Sequence, residues 1–397
     1  MSQRTDIFIS GGGIAGLTAG LAFSRLGLTV TLADPSPPPE DAESKGSDLR
    51  STAFLRPARE LLEDAGVWQA LAPHATPLET LAVIDCSGDP PQPRTERAFR
   101  SSDLGEPAFG WNLPNWLTRK VLTEALASAP GADLRLGTGF RSILTREREA
   151  IVTLSDGSRI RTRLAVAADG RASPMRDSLG IGTDTARYGQ KVLAFNVTHD
   201  IPHENVSTEL YLSGGAFTLV PLPDHQGRPA SAVVWMNNGP DAAQLMAMDA
   251  VEFSEAATVR SCGVLGELTL ASRRNAWPVV TQRATRLTAE RAALVAEAAH
   301  VLPPIGAQGL NTSLHDIRAL RDLARDDPDA IGTRGWLERF GKARERDIRA
   351  RARVIDLYNR ICRSDAPPVQ ALRSLGLSIV HDIEPLRRGV MRAGLGG

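Results

Sequence analysis

The sequence predicts an α/β fold in which a β-rich region interrupts the first domain and a helical segment closes the chain. Three observations support this prediction. Residues 6–34 show a strand–helix–strand pattern of apolar residues. From about 190 to 285 the pattern changes to short β-like runs separated by turn residues. Helical patterns dominate again from 312 to 363, and 397 residues are enough for two or three domains.

Composition excludes several classes of protein. The 46 basic and 46 acidic residues balance, so no nucleic-acid partner is expected. Cys86, Cys262 and Cys362 are far apart and outside any CxxC spacing, which argues against a disulfide framework or a zinc site. No metal site is predicted. The N-terminal residues lack a signal-like apolar segment and no 18-residue apolar run exists, so we expect a cytoplasmic protein without a spanning helix.

The first third of the chain alternates between strands and helices. Residues 6–10 and 28–34 are predicted strands, and the helix between them ends at Gly27. The Pro-rich stretch 35–48 is predicted to be a loop. Further elements are predicted as a helix over 52–68, a strand over 81–86, a surface loop over 89–97 and a helix over 115–128.

The middle of the chain predicts an antiparallel sheet. A hairpin is expected in 150–170 around Asp156-Gly157, a strong turn pair, and a helix near 249–261 interrupts the later strands. Because 81–100 resembles those later strands, the first domain is predicted to be discontinuous. The predicted domains are 1–75, 101–182 and 283–397 for the first, and 76–100 with 183–282 for the β-rich second.

The strongest motif is Gly11-x-Gly13-x-x-Gly16, between the first strand and the first helix. Glycines at this spacing permit a tight turn and close approach of a pyrophosphate, which the helix N-terminus attracts. Asp34 ends the next strand, 21 residues past Gly13, where a carboxylate can accept hydrogen bonds from ribose hydroxyls. The motif therefore predicts a Rossmann-like dinucleotide site, but it leaves FAD and NAD as alternatives.

Two further stretches carry turn residues. Asp169-Gly170 follows a predicted strand, in "AVAADGRASPMR". The stretch "AEAAHVLPPIGAQGLN", residues 296–311, stops a helix-friendly run at two prolines and then crosses a loop with two glycines. Taken alone, each stretch predicts only a turn.

Together, the three stretches resemble the FAD-dependent aromatic-ring monooxygenases with the para-hydroxybenzoate hydroxylase fold. Within them, the chain is most similar to the ubiquinone-biosynthesis hydroxylases. Segments such as "DLRSTAFL", "GGAFTLVPLPD" and "LYNRICRSD" occur in the order of that subgroup, across nearly the whole chain. The resemblance implies a Rossmann-like FAD-binding domain, an inserted β-rich substrate domain and a C-terminal helical segment.

The resemblance also implies cofactor-binding residues. The N-terminal turn would hold the FAD pyrophosphate, through Gly11, Gly13, Ile14, Ala15 and Gly16. Asp34 would bind the adenosine ribose, Arg50 would lie beside the flavin, and Arg119 would lie near the pyrophosphate or ribityl chain. Asp169 and Gly170 would contact FAD and help the nicotinamide donor to bind. The isoalloxazine ring would be surrounded by Pro304, Gly306, Gly309, Leu310 and Asn311.

The sequence departs from the family pattern at Ala296-Glu297, where the family has Gly-Asp. Glu297 keeps the charge that would bind a ribityl hydroxyl but adds a methylene, and Ala296 adds a Cβ. Two interpretations remain open. Either Glu297 binds FAD with a slightly adjusted backbone, or FAD binding is weakened and the protein has lost catalysis.

The function that the resemblance implies is hydroxylation of the aromatic ring of a polyprenylated phenol or related quinone precursor. NADH or NADPH would act as a transient reductant, and O2 would react through a flavin C4a-hydroperoxide. Since the cofactor carries this chemistry, no catalytic side chain is predicted. The partners would be the quinone precursor, O2 and a ubiquinone-biosynthesis complex.

Alternatives remain at this point. One is a flavin monooxygenase of a small soluble aromatic, and another is a catalytically silent relative that serves as a scaffold in a quinone-biosynthesis complex. The stretch 339–363 holds nine basic and three acidic residues. It favours a solvated helix face with internal salt bridges, but it is also compatible with peripheral contact at the inner membrane face.

Overall fold

The computed structural model describes residues 3–44, 46–212, 214–364 and 366–395. It confirms the predicted α/β class with a helical C-terminal segment. The strands in these residues are β1 (Gln3–Ser10), β2 (Val30–Asp34), β3 (Ser51–Leu55), β4 (Thr76–Leu78), β5 (Thr80–Ser87), β6 (Gln92–Arg100), β7 (Gly110–Pro114), β8 (Ala132–Leu136), β9 (Phe140–Thr145), β10 (Ala150–Leu154), β11 (Arg159–Ala167), β12 (Thr183–Thr198), β13 (Val206–Leu212), β14 (Gly215–His225), β15 (Arg228–Asn238), β16 (Thr269–Leu270), β17 (Asn275–Ala284), β18 (Thr288–Ala289), β19 (Ala292–Leu294) and β20 (His300–Val301).

Short 3₁₀ helices occupy Ala72–His74 and Ser101–Leu104. None of the helices within the described ranges combines the length and apolar character that a membrane span needs. The α-helices are α1 (Ile14–Arg25), α2 (Arg56–Asp64), α3 (Trp68–Leu71), α4 (Asn115–Ala127), α5 (Pro174–Ser178), α6 (Gly239–Ala247), α7 (Ala250–Arg260), α8 (Ala296–Ala299), α9 (Gln308–Asp326), α10 (Arg334–Cys362), α11 (Pro367–Asp382) and α12 (Glu384–Leu395).

The first sheet follows the order β18-β19-β11-β1-β2-β8, and β10 and β9 extend from β11 as antiparallel strands. β1 is parallel to both β11 and β2, and β11 is parallel to β19. Ser10 is in register with Ala167, and Ala167 is in register with Leu294. The turns that follow three strands therefore begin side by side at one edge, where open α/β sheets bind ligands.

The second sheet has the order β20-β17-β12-β15-β14-β13-β5-β6, with β16 beside β12. Alternate side chains of its strands point to opposite faces. One face packs with Phe253 and other apolar residues of α6 and α7. The other face packs with Ile355 and Cys362 of α10. The strands β5 and β6 belong to this sheet, and the predicted domain boundaries stay a prediction.

Two predicted elements are wrong. The helix predicted over 52–68 begins only at Arg56, because residues 51–55 form β3 in a small sheet with β7 and β4. The surface loop predicted over 89–97 is largely β6, which pairs with β5 and carries exposed polar side chains along much of its length. In both cases, tertiary strand pairing outweighs local sequence preference.

The C-terminal helices dock on the second sheet through a buried ion pair. Arg373 of α11 donates from Nε to Asp85 Oδ1 of β5 over 2.6 Å, and its Nη1 donates to the carbonyl of Cys362. The two side chains are 6% and 1% exposed. Arg94 of β6 also contacts Asp85. Removing one partner of such a pair leaves a buried charge without full compensation.

We expect Arg373→Met to lower the free energy of unfolding by about 3 kcal/mol, because Asp85 stays buried with only Arg94 as a cationic partner. Chemical denaturation measures this loss, and limited proteolysis should show earlier cleavage in α11. Arg334→Met is the control, since Arg334 is paired with Glu338 on an exposed surface and should change stability little. Wild-type stability in the Arg373 variant would refute the docking role.

Candidate active site

The glycine-rich turn after β1 requires glycine at two positions. Gly11 has φ +109°, and a Cβ there would lie 2.4 Å from the carbonyl oxygen of Ala168. A Cβ at Gly16 would lie 2.0 Å from the carbonyl oxygen of Gly11. Gly13 is the N-cap of α1, and a Cβ there would meet no atom within 4 Å. The first turn of α1 thus keeps free N–H groups beside open space, as an anion site requires.

Asp34 and Arg119 brace this turn from behind. Asp34 Oδ2 accepts from the Gly12 N–H over 2.6 Å, and its Oδ1 accepts from the Ser36 N–H over 2.8 Å. Arg119 donates from Nε to the Gly12 carbonyl over 2.8 Å. Arg119 lines the large cavity described below, whereas Asp34 lies outside its wall. The structure therefore gives Asp34 a role in shaping the turn, and its contact with a ribose stays a prediction.

Asp169 orders the turn that follows β11. Its Oδ2 accepts from Ser10 Oγ over 3.1 Å and from the Met175 N–H over 3.2 Å, and its Oδ1 accepts from Ser173 Oγ. Burial raises the pKa of the Asp169 carboxyl above its usual value, although these hydrogen bonds oppose the shift. Gly170 lines the cavity, with φ +85°. Asp169 thus fixes the conformation of the turn, and Gly170 is the residue of this turn that lines the cavity.

The chain passes from the first sheet to the second at Ala296-Glu297, where the sequence departs from the family pattern. β19 belongs to the first sheet, and β20, only six residues after it, pairs with β17 of the second. Ala296 has φ +54°, a left-handed conformation that glycine adopts without strain. Glu297 lines the cavity. The family glycine is therefore explained here by backbone conformation.

Arg50 is the cationic neighbour of Glu297. It donates to both carboxylate oxygens of Asp48, over 2.8 and 2.7 Å, and its guanidinium lies 5.0 Å from the Trp277 ring centre. Burial alone would lower the pKa of Arg50, but the hydrogen bond and charge of Asp48, with the charge of Glu297, raise it. Asp48 and Glu297 together stabilise the positive charge of Arg50 at the cavity wall.

A buried network supports the segment that crosses between the sheets. Asp316 of α9 accepts from the Ala296 N–H over 3.0 Å, pairs with His300 Nε2 at 2.7 Å and accepts from Arg344 Nε over 2.8 Å. Burial alone would raise the pKa of the Asp316 carboxyl, but the charges and hydrogen bonds of His300 and Arg344 hold it below its usual value. A charged Asp316 thus fixes both ends of α8.

The loop after His300 leads into α9. Pro304, Gly306, Gly309 and Leu310 line the cavity, and α9 begins at Gln308, beside Gly309 with its open space. Asn311 does not line the cavity. Its side chain accepts from the Leu55 N–H over 2.9 Å and donates to the carbonyls of residues 53 and 307. Asn311 therefore ties the start of α9 to β3.

One cavity of about 1240 Å³ connects these parts. It exceeds the range of about 300–1,000 Å³ that accommodates most single small ligands. The predicted residues on its wall are Gly13, Ile14, Ala15, Arg50, Arg119, Gly170, Glu297, Pro304, Gly306, Gly309 and Leu310. Those predicted as contacts but placed outside the wall are Gly11, Gly16, Asp34, Asp169 and Asn311. All cofactor contacts stay predictions.

The sequence-based site omits several wall residues. Asp48 holds Arg50, and Glu209, Tyr211 and Tyr358 form a polar group at the second sheet. The sequence signal that could have found Glu209 is its position in "STELYLSG", where an acidic residue interrupts a β-like run. Alternation along a strand places such a residue on one face of the sheet, but it does not show whether that face borders a cavity.

The donor set fits FAD. Free N–H groups at α1 suit a pyrophosphate, and the first residues of α9 line the same cavity. Fold and site together define a flavoprotein with a second, separate sheet. A family model described as FAD binding domain matches residues 4–324, so the chain belongs to this family and FAD is its cofactor.

Similar proteins identify the subgroup. The chain is 30% identical to the ubiquinone hydroxylase UbiL of Rhodospirillum rubrum, over 98% of this chain and 89% of that protein. It is 25% identical to the 3-demethoxyubiquinol 3-hydroxylase of Escherichia coli, over 100% and 99%. The p-nitrophenol 4-monooxygenase PnpA of Pseudomonas putida shares the fold, with a TM-score of 0.81 at 16% identity over 100% and 99%. The predicted resemblance is confirmed: the chain is an FAD-dependent monooxygenase.

We expect Asp316→Asn to lower the free energy of unfolding by about 3 kcal/mol, because the Arg344 charge loses a buried partner. Weaker FAD binding should accompany this loss, since Asp316 fixes the segment that carries Glu297. Calorimetric unfolding and FAD titration measure the two effects. Asp347→Asn removes the more exposed partner of Arg344 and should cost less than about 1 kcal/mol. Equal losses in both variants would contradict the role of Asp316.

We expect Ala296→Gly to raise the free energy of unfolding by about 1 kcal/mol, because the left-handed conformation is strained for alanine. Thermal unfolding of the protein measures this change. Ala298→Gly, in the helical turn α8, is the matched control and should destabilise by a similar amount. If both variants lose stability, the backbone at Ala296 is not strained.

Proposed function

We propose that this protein hydroxylates the aromatic ring of a polyprenylated ubiquinone precursor, with NADH or NADPH as a transient reductant and O2 as oxidant. In this reaction one oxygen atom of O2 is inserted into a ring C–H bond to give a hydroxyl, and the other is reduced to water by the hydride of the nicotinamide and a proton from solvent. Bound FAD supplies the redox chemistry, and the protein binds, orients and excludes water.

The observation that carries the proposal is the lining of the cavity. Its wall combines α1 and the 296–310 segment with the second sheet and the C-terminal helices. The C-terminal helices contribute apolar side chains to this wall: Leu372, Leu377, Val380, Val390, Met391 and Leu395. Apolar lining stabilises a hydrocarbon chain by removing it from water. An aromatic head between the flavin and the second sheet, with an aliphatic tail along these apolar side chains, matches this lining.

The chain's own residues have distinct tasks in this proposal. The α1 N-terminus and Arg119 would hold the phosphates, and Glu297 would accept from the ribityl chain. The N-terminal N–H groups of α9 would stabilise the negative charge that a reduced flavin carries. Asp169 keeps the turn at Gly170 in place beside the cofactor. No side chain needs to act as a nucleophile.

The charges at the wall favour a neutral ring. Three arginines line the cavity within the described residues, and each already has partners. Arg50 is paired with Asp48 and Arg373 with Asp85, while Arg119 donates to the Gly12 and Ser36 carbonyls and is assigned to the phosphates of FAD. An aromatic carboxylate would find no spare cation among them. This supports a phenol with a tail over a small soluble aromatic acid.

Peripheral membrane contact belongs to the same proposal. Large apolar side chains are exposed on α10–α12, near the apolar end of the cavity: Val354, Leu357, Leu372, Leu375, Ile379, Ile383, Leu386 and Val390. Much of the basic stretch 339–363 is engaged in ion pairs, such as Arg351 with Asp347 and Arg360 with Asp356. Apolar contact with lipid, or with a ubiquinone-biosynthesis complex, would bring the tail to its channel.

An absorbance spectrum of the purified protein tests the class of activity. We expect flavin bands that bleach with NADH or NADPH without oxygen, and a product heavier by one oxygen atom when a prenylated phenol and air are added. Colourless protein that takes up no FAD and co-purifies with quinone-making enzymes would instead support a scaffold. Turnover of a small soluble phenol alone would support the other monooxygenase alternative.

We expect Gly376→Leu to reduce turnover of a long-tailed phenol by about tenfold or more relative to a short-tailed one, because the new side chain fills the apolar channel. Gly376 lines the cavity, and a Cβ there would meet no atom within 4 Å. Gly389→Leu on exposed α12 has the same open surroundings outside the cavity and is the matched control. An equal loss for both tail lengths would place the tail elsewhere.

A further inference from the structure

Glu209 is a buried carboxyl on the substrate-facing side of the second sheet. It lies on β13, is 9% exposed and lines the cavity. Its strand partners Val83 and Thr218 line the same cavity, so all three share one face. A carboxylate can accept about four hydrogen bonds. Burying one in apolar surroundings is unfavourable unless its acceptor capacity is used.

The surrounding groups leave that capacity largely unused. Within the described residues, the Glu209 side chain has one hydrogen-bond partner, the Tyr211 hydroxyl, which donates to Oε2. Tyr358 of α10 donates in turn to the Tyr211 hydroxyl over 3.0 Å. Burial raises the pKa of Glu209, and the hydrogen bond from Tyr211 opposes this shift. Among the residues that the structure describes, none donates to the second carboxylate oxygen.

Nearby charges do not satisfy Glu209. Arg373 lies 5.9 Å from the Tyr211 ring centre but pairs with Asp85, which also contacts Arg94. Cys362 of α10 adds a thiol whose pKa burial raises to about 12, so it is uncharged. The carboxyl therefore has a free acceptor position beside a cavity and no cation that fills it.

We propose that Glu209 accepts a hydrogen bond from a hydroxyl on the substrate's ring, and that Tyr211 holds the carboxyl in place. This inference rests on the proposed function, because it assigns the recognition of the ring to a residue of the same cavity. A hydrogen bond to a charged acceptor is stronger than a neutral one. Glu209 would thus select rings that carry a free hydroxyl over rings whose hydroxyl is methylated.

The test compares two probes, 2-decylphenol and 2-decylanisole, which differ by one methyl group on the oxygen. Their binding to the FAD-loaded protein is measured by isothermal titration calorimetry and by the change in flavin absorbance. We expect the wild-type protein to bind the phenol about tenfold or more tightly than the methyl ether. Glu209→Leu should bring the ratio close to one, because the acceptor is gone.

Glu209→Gln keeps an oxygen for Tyr211 but removes the charge, so its ratio should fall to about threefold. This variant also covers the case in which Glu209→Leu does not fold. Glu267→Leu, at an exposed position, is the control and should keep the wild-type ratio. A general packing defect would weaken both probes together and leave the ratio unchanged.

Two results would overturn the assignment. One is wild-type protein that binds neither probe or both equally, and the other is a wild-type ratio retained in both Glu209 variants. Either result leaves the proposed function standing if the protein still takes up FAD and hydroxylates a prenylated phenol. Failure of the proposed function shows separately, as protein without FAD or without reduction by NADH or NADPH.

Discussion

The site depends on one constraint: parallel strands of the first sheet end in register at the same edge. Ser10, Ala167 and Leu294 are neighbours across three strands. Backbone hydrogen bonds from Ala168 to Ser10 and from Val295 to the Ala167 carbonyl extend the ladder one residue further. The phosphate turn, the Asp-Gly turn and the crossing segment must therefore start within about 10 Å of one another, although they are far apart in sequence.

Sequence patterns predicted the parts of the fold that local signals determine. The glycine spacing located the phosphate turn, the Asp156-Gly157 pair located a hairpin, and both are present because backbone conformation at those points requires them. Residues 52–55 were assigned wrongly because their strand partner, β7, lies about 60 residues further along the chain, and residues 92–97 were assigned wrongly because a polar, Pro-containing stretch forms an exposed strand beside β5. Local preference contains no information about such pairing.

In the candidate site, too, local sequence signals predicted some residues, and others depend on tertiary packing. Residues on turns, such as Gly13 and Gly170, were predicted and do line the cavity. The carboxylates Asp34 and Asp169 hydrogen-bond within the turns and so shape them, and their predicted contacts with the ligand stay predictions. Glu209 was missed, because only the packing of α10 and α11 over the second sheet makes its surroundings buried. A sequence motif identifies a turn that can form part of a binding site, and tertiary packing determines which atoms face the cavity.

Contacts at Ala296 and at Glu297 explain how the chain accommodates its departure from the family pattern. The left-handed backbone at Ala296 is held by a hydrogen bond to Asp316, whose charge is balanced by Arg344 and which also hydrogen-bonds His300. A strain of about 1–2 kcal/mol for alanine is small beside a buried network of this kind. The segment can therefore keep a left-handed backbone at this position without a glycine. Glu297 lines the cavity, where Arg50 offers it an opposite charge, so Ala296 and Glu297 by themselves give no reason to expect loss of the cofactor.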